Sequence, residues 1–109
     1  MAPKQTVRGS TTGRPIMRLL DAMGKRWSLR ILWELRDKPL TFRELQTRCD
    51  DISPTSLNTR LKELREMELV ELTDQGYAHT AWGTELGTHL VALDAWAAKW
   101  AAATACEDQ

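Results

Sequence analysis

The side chains best suited to chemistry are concentrated in one stretch, DISPTSLNTRLKELREMELV, at residues 51–70. Ser53, Thr55, Ser56, Asn58 and Thr59 crowd hydroxyl and amide groups into the start of a segment whose Leu57, Leu61 and Leu64 recur at helical spacing. On a helical wheel Thr55, Thr59 and Lys62 lie opposite that leucine stripe, flanked by Ser56 and Asn58. An ordinary solvated face would carry more lysine and glutamate. Short polar groups at a helix start suit either capping or close approach to another polar surface. No nucleophile elbow, phosphate-binding glycine loop or paired-carboxylate pattern accompanies them, so the chemistry indicated is recognition, with no enzyme activity and no cofactor expected. His79 and His89 have no second ligand at metal spacing, and both are expected to be structural.

The elements that must position this stretch are legible around it. Residues 1–14 are cationic and rich in Gly, Ser and Thr, which suggests a flexible arm. Pro15 can open a helix to about Met23, with Ile16, Leu19, Leu20 and Met23 at helical spacing and Gly24 ending it. A second helix is expected from about Arg26 to Arg36, burying Trp27, Ile31, Leu32 and Leu35 before Pro39 stops it. Thr41 and Glu44 have capping-box spacing at the head of a third helix reaching about Cys49, with Phe42 and Leu45 inward. After an Asp50-Asp51-Ile52 turn, Ser53 caps and Pro54 opens the fourth helix, completing a helix-turn-helix pattern. From residue 69 the period changes to two: LVELT, the turn DQG and YAHT read as a small hairpin. A final helix is expected from about Ala81 to Ala103, and residues 104–109 form a polar tail. The expectation is one mainly α domain over 15–103 with a small β-hairpin wing.

Composition agrees with a folded domain. The chain has 109 residues, 42% of them hydrophobic, and zero formal net charge. That zero conceals an asymmetry: residues 1–36 carry +6 and residues 67–109 carry −6. A basic first third suits a polyanion partner; equally, the two ends can simply attract each other. No apolar run approaches the ~20 residues of a membrane span, and MAPKQTVRGSTTGRP lacks the apolar stretch of a signal peptide. Cys49 and Cys106 form neither a disulfide framework nor a metal motif, so a cytoplasmic protein is expected.

Five segments together resemble the HxlR-type winged helix-turn-helix regulators, a bacterial family related in fold to the MarR regulators. GKRWSLRIL (24–32) resembles Gly-x-Lys-Trp-x-x-x-Ile-Leu, TFREL (41–45) resembles Arg-Phe-x-Glu-Leu, and ISPTSLNTRLKEL (52–64) resembles Ile-Ser-x-x-x-Leu-x-x-Arg-Leu-x-x-Leu. TAWGTEL (80–86) resembles Thr-x-x-Gly-x-x-Leu, and Trp96 is similar to the tryptophan of the family's last helix. The resemblance implies a transcription regulator whose first and last helices pack across a two-fold axis. The departures are specific. Thr41 replaces an arginine, Glu68 a glycine, and Glu71 a commonly basic residue, while the wing is short and carries no cation. Glu68 is therefore expected to adopt a left-handed conformation. The cysteine that some members carry near the N-terminus as a redox sensor is missing, and that function is not carried over.

The expected function follows from these readings. A helix entering the major groove can read base edges with hydroxyl and amide groups near its N-terminus. Thr55, Ser56, Asn58, Thr59 and Lys62 are the candidates for double-stranded DNA, with Ser53 a cap that can also touch it. Arg60 flanks the stripe and can reach a phosphate, Arg43 is a candidate backbone anchor, and Glu63 and Glu66 would repel the backbone. Lys4, Arg8 and Arg14 of the arm are further phosphate candidates. So few cations favour a homodimer, which doubles the contacts on an inverted repeat. Ile16, Leu20, Leu90, Leu93, Trp96, Ala97 and Trp100 are its candidate interface, since one small core cannot cover them all. Cys49 and Cys106 are the candidate redox residues, Cys49 as a small, partly buried hydrophobe and Cys106 as the more reactive. A small-molecule effector or thiol event would act by changing the spacing of the two helices. The alternative class is a winged-helix interaction or dimerisation module that has lost DNA readout, which the acidic wing and Thr41 favour.

Overall fold

The computed structural model describes residues 13–107. In chain order these form α1 (Pro15–Met23), α2 (Ser28–Glu34), α3 (Phe42–Arg48), α4 (Pro54–Glu66), β1 (Val70–Thr73), β2 (Gly76–His79) and α5 (Ala81–Glu107). This is the winged helix-turn-helix architecture expected from the sequence. The arm residues Lys4 and Arg8 lie outside the described residues.

Local signals account for most boundaries. Pro15 opens α1, and the Gly24 N–H closes it on Leu20 O at 2.9 Å. The capping box of α3 is complete: Glu44 N–H donates to Thr41 Oγ1 at 3.1 Å, and Thr41 N–H donates to Glu44 Oε1 at 2.8 Å. The bond from the Thr41 backbone holds the Glu44 carboxyl below the usual carboxylate range. Ser53 caps α4 by accepting from Ser56 N–H at 3.1 Å.

Two boundaries differ from expectation. The second helix begins at Ser28, not near Arg26, because Trp27 sits at φ 79° and a left-handed residue cannot join a right-handed helix. It stops at Glu34, and Trp27 is half-buried. The last helix runs to Glu107, past Ala103, so residues 104–107 are helical and not part of an irregular tail. Its alanine-rich sequence explains the extension, since Ala has the highest helix propensity.

The hairpin pairs Val70 with His79, Glu71 with Ala78, Leu72 with Tyr77 and Thr73 with Gly76. Leu40, between α2 and α3, adds a third strand-like contact: its N–H donates to Tyr77 O at 2.9 Å and Tyr77 N–H donates to Leu40 O at 2.7 Å. Gly76 takes φ 120°, and a methyl there would run into the Leu40 backbone, so the wing is stitched to the helix-turn-helix at a position open only to glycine. The core is one cluster: Met23, Ile31, Leu32, Leu35, Leu40, Leu45, Cys49, Ile52, Leu57, Leu61, Leu64, Leu69 and Val70. His79 ties wing to core by donating from Nε2 to Leu32 O at 2.8 Å. Among the described residues, α5 packs on this core through its beginning, with Gly83 buried and Leu86 and Leu90 half-buried.

Gly83 provides a test of this packing. Alanine in a helix is normally worth about 1 kcal/mol over glycine, but a methyl at 83 overlaps the Leu69 carbonyl. That carbonyl cannot retreat freely, because Thr80 N–H holds it at 3.1 Å. Gly83→Ala is expected to destabilise the fold by about 1–3 kcal/mol in urea unfolding. A midpoint unchanged or raised would show that α5 does not press on Leu69.

Candidate nucleic-acid interface

The candidate interface is the exposed side of α4. Leu57, Leu61 and Leu64 are each at most 1% exposed, so the stripe is fully engaged with the core. Burying it fixes the roll of the helix and turns Thr55, Ser56, Asn58, Thr59 and Lys62 outward, all of them exposed. Ser53 is exposed as well, with its hydroxyl occupied by the cap. Arg43, in the first turn of α3, is exposed. The structure therefore brings the candidate groups of α4 onto one surface.

Arg60 behaves differently from its neighbours. It is only half-exposed, and its Nη1 donates to Glu63 Oε1 at 2.9 Å. The other Glu63 oxygen lies 3.5 Å from Lys25 Nζ at the corner between α1 and α2. Glu63 thus holds two cations at the edge of the polar face. Glu66 is exposed at the far end of α4, away from the polar first turns.

The angle between α3 and α4 is set by a turn that sequence reading located but did not explain. Asp50 and Asp51 both take φ 58°. Asp51 N–H donates to Gln46 O at 2.8 Å, and Gln46 Nε2 donates to Ile52 O at 3.0 Å, so one glutamine braces both sides of the turn. From α2, Arg30 Nε donates to Glu34 at 2.9 Å, a second guanidinium nitrogen reaches Arg48 O, and Nη1 lies 3.5 Å from Asp50. Arg48 in turn lies 3.5 Å from Glu34. The hydrogen bond that Arg30 donates to Glu34, ahead of the nearby charge of Asp50, keeps the guanidinium above its ordinary pKa. The i,i+4 spacing of Arg30 and Glu34 was visible in the sequence; the contribution of Arg48 and Asp50 arises only from the fold.

Cys49 sits beneath this network, with no exposed surface. Burial pushes its thiol pKa up, against the opposing pull of Arg30. Among the described residues no His/Cys/Asp/Glu cluster has the arrangement to hold a metal ion.

At the other joint of α4, Glu68 takes φ 62°, the left-handed conformation expected where the resemblance places glycine. Beside it a mostly apolar groove of about 420 Å³ is lined by Leu19, Met67, Leu69, Trp82 and Leu86 together with Glu68, Glu85 and His89. The helices α1 and α5 also leave apolar side chains uncovered: Ile16, Leu20, Leu93, Trp96 and Trp100 are each more than half exposed. Trp96 and Trp100 stack with ring centroids 6.1 Å apart. Ala97 is half-buried, and Leu90 packs partly on the chain's own core.

Comparison with known proteins agrees with this geometry. The model of the HxlR-like helix-turn-helix family matches residues 22–105. The quinone-bound YodB from B. subtilis is 34% identical, with 77% of this chain and 96% of that one covered at a TM-score of 0.71. The reduced form of the same transcriptional regulator is also 34% identical over 77% and 90% of the two chains, with a TM-score of 0.66. A possible HxlR family transcriptional factor from Thermoplasma volcanium GSS1 is 25% identical over 80% and 84%, with a TM-score of 0.69. No curated protein sequence matches the chain.

The buried thiol generates a pH prediction. A raised pKa in the fold means that Cys49 contributes stability fully below the ordinary thiol range and loses it as pH rises through the elevated value. In a Cys106→Ser background, Cys49 is expected to resist iodoacetamide at neutral pH until the protein unfolds, and stability is expected to fall at alkaline pH. Rapid alkylation of the native protein would contradict both the burial and the sign.

Proposed function

The chain belongs to the HxlR-like helix-turn-helix family, a family of DNA-binding transcriptional regulators, and from that premise we propose that it acts as a homodimer on an inverted-repeat operator. The observation that carries the reading is the outward polar face of α4, set by a fully buried leucine stripe. Thr55, Ser56, Asn58 and Thr59 supply hydrogen-bonding groups short enough for base edges, and Lys62 and Arg43 supply phosphate contacts.

Dimerisation is supported by the surface that α5 leaves uncovered. The stacked tryptophans and Leu93 on α5, with Ile16 and Leu20 on α1, leave large apolar side chains exposed, unlike an ordinary solvated helix. A second copy covering it through α1 and α5 would carry two α4 helices on one particle. No helix among the described residues is long and apolar enough to cross a membrane, and a cytoplasmic site of action fits this reading. A small apolar effector seated in the 420 Å³ groove would press on Met67, Glu68 and Leu69, where α4 hands over to the wing. Such a ligand changes DNA affinity only by favouring one spacing of the two helices. YodB in its quinone-bound form shows that a small molecule reaches that neighbour.

Selection of bound duplexes from a random pool tests the readout. A palindromic consensus is expected, with Asn58→Ala, Thr59→Ala weakening it by about 1–3 kcal/mol for each lost base contact. The same consensus at undiminished strength would move readout off α4. Failure to retain any duplex at low salt would favour a protein-interaction module, as the acidic wing residues Glu71 and Asp74 allow.

A further inference from the structure

The wing and Thr41 leave this chain poor in cations where a winged helix would otherwise grip the DNA backbone. β1 and β2 carry no lysine or arginine, and the hairpin presents Glu71 and Asp74. We propose that the phosphate grip is instead supplied by the corner between α1 and α2, where Lys25 and Arg26 form a clamp for a DNA backbone phosphate beside α4. The proposal rests on the DNA-binding reading above and specifies where a second anchor lies.

A polar pocket of about 480 Å³ opens between this corner and α4, lined by Lys25, Arg26, Trp27, Ser56, Arg60 and Glu63. Three of its six lining residues are cations and one is an acid, so its charge is +2. Its position suits a phosphate. Thr55, Thr59 and Lys62 point away from the core, whereas Ser56, Arg60 and Glu63 occupy the flank between that face and the corner. A helix lying in the major groove has the sugar-phosphate walls on its flanks, and this flank carries the basic pocket.

The corner is held in place before any ligand arrives. Lys25 N–H donates to Ala22 O and Ser28 N–H to Lys25 O, both at 3.2 Å. Trp27 is fixed in the left-handed region at φ 79°, and its ring supports the Arg26 guanidinium at 5.4 Å from the centroid. Arg26 pairs with no carboxylate among the described residues. Lys25 and Arg60 share the single carboxylate of Glu63. Glu63 therefore acts as a placeholder for phosphate: it keeps both cations pointed into the pocket and opposes entry of the backbone.

Two variants act in opposite directions on this arrangement. Binding of the full chain to a short random duplex is followed by fluorescence anisotropy across a salt series. Lys25→Ala, Arg26→Ala is expected to weaken binding to all sequences alike and to lower the slope of log affinity against log salt by about 0.9 per phosphate released in each protomer. Glu63→Gln is expected to tighten binding and steepen the slope, a gain that misfolding cannot imitate. Thermal melting of each variant checks that the fold persists. If the wild type binds and both variants follow its curve, the clamp is overturned while the DNA-binding reading stands. If the wild type fails to bind at low salt, both fall. If inorganic phosphate stabilises the wild type but duplex binding is indifferent to Lys25 and Arg26, the pocket is a free-anion site and the proposal is again overturned.

Discussion

The arrangement depends on burial of three leucines in one helix. Each of Leu57, Leu61 and Leu64 is sealed in the core, and full burial of a leucine side chain contributes about 1.5–3 kcal/mol. Rolling α4 by one residue, roughly 100°, would drive Asn58 toward the core and expose part of the stripe. That penalty fixes which side chains face outward. The surrounding devices then fix tilt and height: the α3 capping box, the Gln46 brace across the turn, and the Arg30 network that ties α2 to Arg48 and Asp50. Left-handed residues at both ends, Asp50 and Asp51 before α4 and Glu68 after it, let the chain turn sharply without lengthening the loops.

Against that fixed helix the charge distribution becomes intelligible. The basic first third is not a uniform field, because part of it is committed internally. Arg30 is occupied by Glu34, and Arg36 lies over Trp33 at 4.0 Å. Lys25 and Arg26 remain at a corner beside the polar face, with Glu63 moderating one of them. The acidic last third belongs largely to the wing and α5, on elements for which the resemblance implied basic contacts only at the wing. Surface pairs of this kind contribute little to stability, typically about 0–1 kcal/mol. Their importance lies in where they aim the cations.

Much of this fold was legible because local signals and periodicity agreed. Pro15, Thr41 with Glu44, Ser53 with Pro54, and the leucine stripe all act within a few residues, and each appears where the sequence placed it. The left-handed Glu68 was legible through the family pattern, since a glycine position demands positive φ whatever residue occupies it. Trp27 was not: a tryptophan at φ 79° contradicts local preference and is held there by tertiary packing, so the helix start was misplaced by about one half turn. Leu40 pairing with Tyr77 and the Arg48–Glu34 contact were hidden for the same reason, as partners far apart in sequence leave no local mark. The polar face of α4 was readable from residue type and helical spacing. The Lys25–Glu63–Arg60 arrangement beside it was not, because it requires knowing that the α1–α2 corner folds against α4.

The central claim is that two copies of α4 are held at the pitch of DNA, and a distance measurement addresses it without DNA. Spin labels at Thr55→Cys, in a Cys106→Ser background with Cys49 buried, report the separation of the two helix tips by double electron–electron resonance. The account predicts a defined distribution centred near 34 Å, one helical turn of B-DNA. Absence of any dipolar coupling at working concentration, or a separation far from that value and from its multiples, would contradict it.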